Sequence, residues 1–61
     1  ALLAGSRGSI AASAFFNIGN MHFRQERFKE AAESYGQAMK AWPDHPWAAD
    51  GLAEANRLAG E

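Results

Sequence analysis

The sequence predicts an all-α fold in which short turns join helices that pack antiparallel. Apolar residues recur every three or four positions, which is the period of one face of a helix. Turn-forming residues separate these stretches, and no stretch alternates apolar and polar residues as a half-buried strand does. Helices joined by short turns lie side by side in opposite directions, so we expect an antiparallel arrangement.

The first helix is predicted from Ile10 to Gln25, with Ser9 as its N-cap. The segment from Gly5 to Ser9 is expected to be a loop or a fraying segment, because two glycines within four residues make a stable helix costly. Gly19 inside the helix marks a place where a second helix approaches closely. The residues of the predicted packing face recur at helical spacing: Ala11, Ala14, Phe15, Ile18 and His22. Phe16 and Phe23 lie on a neighbouring face.

The second helix is predicted from Phe28 to Ala41, and Pro43 ends it by disfavouring helical geometry in the preceding residue. Its apolar stripe consists of Phe28, Ala31, Ala32, Tyr35, Ala38, Met39 and Trp42. The third helix is expected from about Trp47 to Leu58, capped by Asp44 or His45, with Pro46 in its first turn. Its buried side would be Ala48, Leu52, Ala55 and Ala59.

Composition excludes several classes of function. The chain of 61 residues has six basic and seven acidic residues without a basic cluster, so it lacks the surface that nucleic acids require. Its longest uncharged stretch is interrupted by polar residues, so no membrane span is expected. Cysteine is absent, which excludes disulfides and thiolate zinc sites and fits either the cytoplasm or the periplasm. A chain this short buries only about 60% of its surface, so outside support is expected, either from another chain or from neighbouring sequence that is missing here.

The residues Phe15-x2-Ile18-Gly19-x2-His22, followed by Ala31-x3-Tyr35 and Pro43, resemble the tetratricopeptide repeat. That family's pattern is W-x2-L-G-x2-Y, then A-x3-F, then P, in a unit of about 34 residues. Each position carries the same or a similar residue type except His22, which stands where the family has tyrosine.

The same period continues weakly beyond the first unit, since Leu52 follows Ile18 and Ala53 follows Gly19 at that distance. The resemblance therefore implies about one and a half repeats of an α-solenoid. Residues 1–9 would be a flexible segment or the end of a preceding repeat. Residues 10–45 would form one helix pair, and residues 46–61 a third helix that caps the unit or begins the next repeat.

The resemblance also implies a concave groove, lined by the first helix of each repeat, in which a protein or peptide partner binds. The implied groove residues are Ser13, Phe16, Asn17, Asn20, Phe23 and Arg24, with Trp47 as an interface anchor at the open end. Asn17 and Asn20 would bond peptide backbone. Two readings of the phenylalanines stay open: they grip an apolar side chain, or they pack against a preceding repeat or the N-terminal segment.

The chain is not expected to be an enzyme or to hold a metal or other cofactor. His22 and His45 have no third metal ligand at helical spacing. Asp44 and His45 are adjacent in a turn, which suits capping better than catalysis. We therefore expect a protein-protein interaction module. The alternative is a small structural subunit, or a self-associating fragment, of a homo-oligomer or larger assembly.

Overall fold

A computed structural model of the chain describes the backbone of residues 2–60 and the side chains of residues 8–60. It has three helices: α1 (Leu2–Arg24), α2 (Phe28–Ala41) and α3 (Ala48–Ala59). No strand occurs within residues 2–60. Helix α2 packs on both α1 and α3, whereas α1 and α3 touch each other little. The all-α prediction and the bounds of α2 are confirmed, and α3 begins and ends one residue later than expected.

Helix α1 begins at Leu2, so the loop predicted from Gly5 to Ser9 is wrong and Ser9 lies inside the helix. Tertiary packing explains the error at Gly8. A Cβ atom there would lie 2.8 Å from the carbonyl oxygen of Ala41 at the end of α2. Only glycine lets α1 approach the end of α2 this closely. Glycine is less favourable than alanine inside a helix by about 1 kcal/mol, and the packing of α1 on α2 offsets this cost.

The turn between α1 and α2 is a Schellman motif, which closes the end of a helix with two backbone hydrogen bonds. The N–H of Arg27 donates to the carbonyl of His22 at 2.9 Å, and the N–H of Glu26 donates to that of Phe23 at 3.0 Å. The motif requires a left-handed residue, and Glu26 fills that position with a φ of 61°. Helix α1 therefore ends at Arg24, one residue before the predicted Gln25.

The buried face of α1 differs from the predicted one. Ala12 is fully buried, and Phe16 and Phe23 on the neighbouring face pack against the core. Ala14 and Ile18, which were predicted to pack, are exposed. Within residues 2–60, α1 packs mainly on α2 and barely touches α3, which leaves Ala14 and Ile18 exposed.

The core consists of small residues at the helix contacts with aromatic rings around them. One cluster joins Ala12, Ala38 and Ala48, one from each helix, and the other joins Ala31, Tyr35 and Ala55. The predicted stripe of α2 is confirmed, because all of its residues are buried or half-buried. On α3, Ala48 and Ala55 are buried as predicted, whereas Ala59 is exposed in the last turn.

Candidate functional site

Tyr35 of α2 fills the space between α1 and α3 and is only 3% exposed. A Cβ at Gly19 of α1 would lie 2.7 Å from ring carbon Cε1, and a Cβ at Gly51 of α3 would lie 3.0 Å from Cζ. Two glycines on different helices thus make room for one ring. Burial raises the pKa of the Tyr35 phenol above its ordinary value of 10.0. The close approach predicted at Gly19 is confirmed, and the contribution of Gly51 was missed.

The ring of Tyr35 also orients a predicted groove residue. Its hydroxyl donates a hydrogen bond to Oδ1 of Asn20 at 2.5 Å. Because Oδ1 is the acceptor in this bond, the amide nitrogen of Asn20 carries the two donor hydrogens on its other side. Asn20 is half-buried, so these donors lie at the boundary between the packed helices and the surface.

His45 caps α3 and packs among the aromatic rings of Phe16, Trp42 and Trp47. Its Nδ1 accepts hydrogen bonds from the backbone N–H groups of Trp47 and Ala48, both at 3.1 Å. The imidazole is buried between aromatic rings, with its centroid 4.9 Å from that of Phe16 and 5.2 Å from that of Trp42. Of the two predicted caps, the structure selects His45.

Trp47 presents an exposed ring beside this buried cluster. It is 64% exposed, and its ring centroid lies 6.2 Å from that of Phe16. The Phe16 ring in turn lies 5.5 Å from that of Tyr35. Phe16 therefore forms a half-buried support next to Trp47, which leaves the tryptophan as the larger apolar surface available to another molecule.

The remaining predicted residues divide into two groups. Ser13, Asn17 and Arg24 are exposed and share one edge of α1 with Asn20, at successive spacings of four, three and four. Phe23 is placed elsewhere: it is half-buried against Phe28 near the α1–α2 turn, with ring centroids 5.2 Å apart. The structure thus brings together most of the predicted set, and both phenylalanines pack within the chain itself.

Helix α3 contributes residues that the sequence reasoning did not assign to the site. Gly51 and Glu54 follow Trp47 at spacings of four and three, which places all three on one side of the helix. The Glu54 carboxylate accepts a hydrogen bond from Nε of Arg57 at 2.8 Å. The helical spacing of Gly51 and Glu54 from Trp47 could have identified these residues. The apolar pattern predicted only the buried side of α3.

His22, which stands where the family has tyrosine, is half-buried. Its Nδ1 is buried and has no hydrogen-bond partner among the described residues. Within residues 2–60, no group of three or more potential ligands is placed to hold a metal ion. None of the described helices combines the length and the apolar character needed to cross a membrane.

Shallow surface depressions occur away from the predicted groove. One lies between the start of α2 and the end of α3, where Phe28 faces Leu58, and is edged by charged residues. Another lies along α3 and is lined by Asp50, Ala53, Glu54 and Arg57. Neither includes a residue of the predicted α1 edge.

Comparison with known protein families gives one match. The family described as tetratricopeptide repeat matches residues 12–45, which are 34 of the 61 residues. No curated protein and no solved structure is significantly similar to the chain. The matched segment contains α2, most of α1 and the turn that His45 closes. Tetratricopeptide repeats are in general protein-protein interaction modules, and their stacked helices create concave binding surfaces. Since the match covers more than half of its length, the chain belongs to the tetratricopeptide repeat family.

Proposed function

We propose that the chain binds a segment of another protein, as an extended peptide or a helix, along the surface between the exposed edge of α1 and the start of α3. The observation that carries this proposal is the exposed ring of Trp47 beside the buried His45 and the half-buried Phe16 and Trp42. Tryptophan in such a position is typical of the residues that dominate binding energy at protein interfaces.

The polar part of the proposed site selects hydrogen-bond acceptors. The Tyr35 hydroxyl occupies Oδ1 of Asn20, so the amide nitrogen of Asn20 is the group that faces a ligand. A peptide carbonyl is the matching acceptor, and Asn17 lies one turn earlier on the same edge. We therefore expect a ligand that places an apolar side chain on Trp47 and a backbone carbonyl at Asn20.

The bound segment is expected to be held by few contacts. The α1 edge between Gly8 and Phe23 carries no charged residue, and Arg24 supplies a single positive charge at its end. Charge therefore contributes little along most of this edge, and specificity depends on the Trp47 contact and on the directed donors of Asn20. This arrangement favours recognition of a short apolar motif and not of a highly charged segment.

A test is selection of a displayed library of random peptides of about 12 residues on the immobilised chain, followed by titration calorimetry of a selected peptide. Trp47→Ala is expected to weaken binding at least tenfold, as loss of an aromatic anchor does. Asn20→Asp keeps an oxygen for the Tyr35 hydroxyl while removing the amide donors. It should therefore weaken binding without unfolding the chain.

Ile18→Ser is the matched control, because Ile18 is exposed and apolar but lies on a different side of α1 from the groove edge. It should leave the affinity for the peptide unchanged. Equal affinities for the starting chain, Trp47→Ala and Asn20→Asp would show that the peptides bind elsewhere and would refute the proposed groove.

A further inference from the structure

Three apolar residues on one side of α1 are exposed, although the equivalent residues of α3 are covered. Ile18 and Met21 are 40% and 46% exposed, and Ala14 is exposed as well. One repeat period of 34 residues later, the equivalent residues of α3 are Ala48, Leu52 and Ala55. The two alanines are fully buried and the leucine is half-buried, through packing on α2. The open face of α1, defined as Ala14, Ile18 and Met21, therefore corresponds to a surface that a helix covers within the same chain.

Helix α2 shows which kind of helix covers such a face. Its buried residues are Ala31, Tyr35 and Ala38, at spacings of four and three, and they form the contacts with α3. Its other side exposes charged residues, among them Lys29 and Lys40. The matching cover is therefore an amphipathic helix whose inward side carries small residues with one larger residue between them.

Asn17 changes what the covering helix can carry at its central inward position. It stands one repeat period before Gly51 of α3, which faces the Tyr35 ring. A Cβ at Gly51 would already lie 3.0 Å from Cζ and 3.1 Å from Cε1 of that ring. Helix α1 has a complete asparagine side chain at this position, so an aromatic ring on the covering helix would clash with it. An alanine or serine leaves room for Asn17.

Met21 adds a second restriction. It stands where α3 has Ala55, which packs with Ala31 and Tyr35 of α2. The larger methionine requires a small residue opposite it on the covering helix. The α2 helix of a second copy is therefore a poor cover, because its Tyr35 would meet Asn17 and is already buried between α1 and α3 of its own chain.

The course of α1 indicates where the cover comes from. Residues 42–47 form the turn between α2 and α3, whereas the equivalent residues 8–13 lie inside α1. Residues 2–7, which are equivalent to the last six residues of α2, are also part of α1. The segment that the repeat period would use to end a covering helix is thus already in α1, and we assign the cover to a different protein chain.

We propose that the open face of α1 binds an amphipathic helix of another protein whose inward residues follow the pattern small-x3-small-x2-small. Ile18 and Met21 supply the apolar contact, as in other cases where the apolar side of a helix docks on a protein surface. Asn17 is the specificity-determining residue, because it rejects an aromatic residue at the centre of the pattern. This binding is independent of the proposed groove, whose anchor Trp47 lies on α3.

The test uses two synthetic peptides with the sequence of the 14 residues of α2, one of them carrying Tyr35→Ala. Each is stapled between positions 33 and 37, which are exposed on α2, because isolated helices this short are only marginally stable. Affinities for the intact chain are measured by ¹H–¹⁵N correlation spectroscopy at peptide concentrations up to about 1 mM, which includes weak complexes. The Tyr35→Ala peptide should bind at least about fivefold more tightly, because it avoids the overpacking at Asn17.

Three variants of the chain locate the binding. Asn17→Gly gives α1 the glycine that α3 has at this position, so it should reverse the preference and favour the peptide with tyrosine. Ile18→Glu puts a charge on the open face and should abolish binding of both peptides. Ala53→Glu is the matched control, since it puts the same charge on an exposed alanine of α3, and it should leave both affinities unchanged. Circular dichroism should show the same helix content for Ile18→Glu and Ala53→Glu as for the starting chain.

The opposite results would overturn the proposal. Equal affinities for the two peptides would remove the role of Asn17, and absence of binding by either peptide would remove the helix partner. Binding that survives Ile18→Glu but is lost in Trp47→Ala would place the helix in the groove. Sedimentation equilibrium that shows a dimer of the chain alone, abolished by Ile18→Glu, would identify a second copy as the cover.

Discussion

Substitution of Gly19 by alanine isolates the cost of crowding the Tyr35 ring. The added methyl would lie 2.7 Å from Cε1 and 2.8 Å from Cδ1 of Tyr35, closer than carbon atoms pack. The ring is confined because Gly51 of α3 contacts it and its hydroxyl is bonded to Asn20. Relief therefore requires a shift of α1 relative to α2, and overpacking of this kind costs about 1–3 kcal/mol.

Gly36→Ala is the matched control for helix propensity. Gly36 also lies inside a helix, but a Cβ there meets nothing within 4 Å. It should stabilise the chain by up to about 1 kcal/mol, because alanine is the better helix former. Gly19→Ala gains the same propensity and loses the packing. The two variants should therefore differ in free energy of unfolding by about 1–3 kcal/mol, and Gly19→Leu should be less stable than both.

The assay is thermal and urea unfolding followed by circular dichroism at one protein concentration. A difference of about 1 kcal/mol shifts Tm by roughly 4–8 °C in a domain of this size. In a double-mutant cycle with Tyr35→Leu, the penalty at Gly19 should shrink, since the smaller side chain leaves room for the methyl. If Gly19→Ala stabilises the chain as much as Gly36→Ala does, the packing of the ring between α1 and α3 is refuted.

Three further predictions concern the turns and the buried phenol. His45→Ala removes the acceptor of two backbone N–H groups and should cost about 1–2 kcal/mol; His45→Asn, which restores a capping oxygen, should cost less, and equal losses in urea unfolding would argue against a capping role. Glu26→Gly removes the left-handed strain at a φ of 61° and should stabilise by up to about 1 kcal/mol; a lower urea midpoint would contradict this. Burial raises the pKa of Tyr35 above 10.0, so the unfolded chain loses the phenolic proton first. The stability due to this group is therefore complete below about pH 10 and falls as pH rises through the raised pKa. Urea midpoints measured from about pH 8 to 11 should fall more steeply for the starting chain than for Tyr35→Phe, and parallel curves would exclude this contribution.

Local sequence signals predicted the parts of the fold that depend on local chemistry. The bounds of α2 follow from its apolar stripe and Pro43. The turn before Pro46 predicted a cap at Asp44 or His45, and the choice of His45 came from the structure. The N-terminal part of α1 was missed because Gly5 and Gly8 have low helix propensity and so predict a loop. In the structure, Gly8 is needed for a close contact between helices and does not mark a loop. The contact of Gly8 with Ala41 joins residues far apart in the chain, so helix propensity could not reveal it.

The face of α1 that packs inward was also beyond the reach of periodicity. Apolar residues occur around most of this helix, so spacing alone cannot decide which side meets α2. The candidate site was partly predictable for a similar reason. The edge of Ser13, Asn17 and Asn20 was implied by the family resemblance, whereas the bond between Asn20 and Tyr35 depends on how α1 and α2 align.

Mapping of a selected peptide by ¹H–¹⁵N correlation spectroscopy tests the central claim, that the chain binds a protein segment between α1 and α3. The account predicts that the largest shifts on titration occur at the Trp47 indole N–H, the Asn20 side-chain amide and the backbone amide of Asn17. Resonances of Ile18, which lies on another side of α1, should move little. Shifts concentrated on Ile10, Ile18 and Met21, with Trp47 and Asn20 unchanged, would contradict the groove.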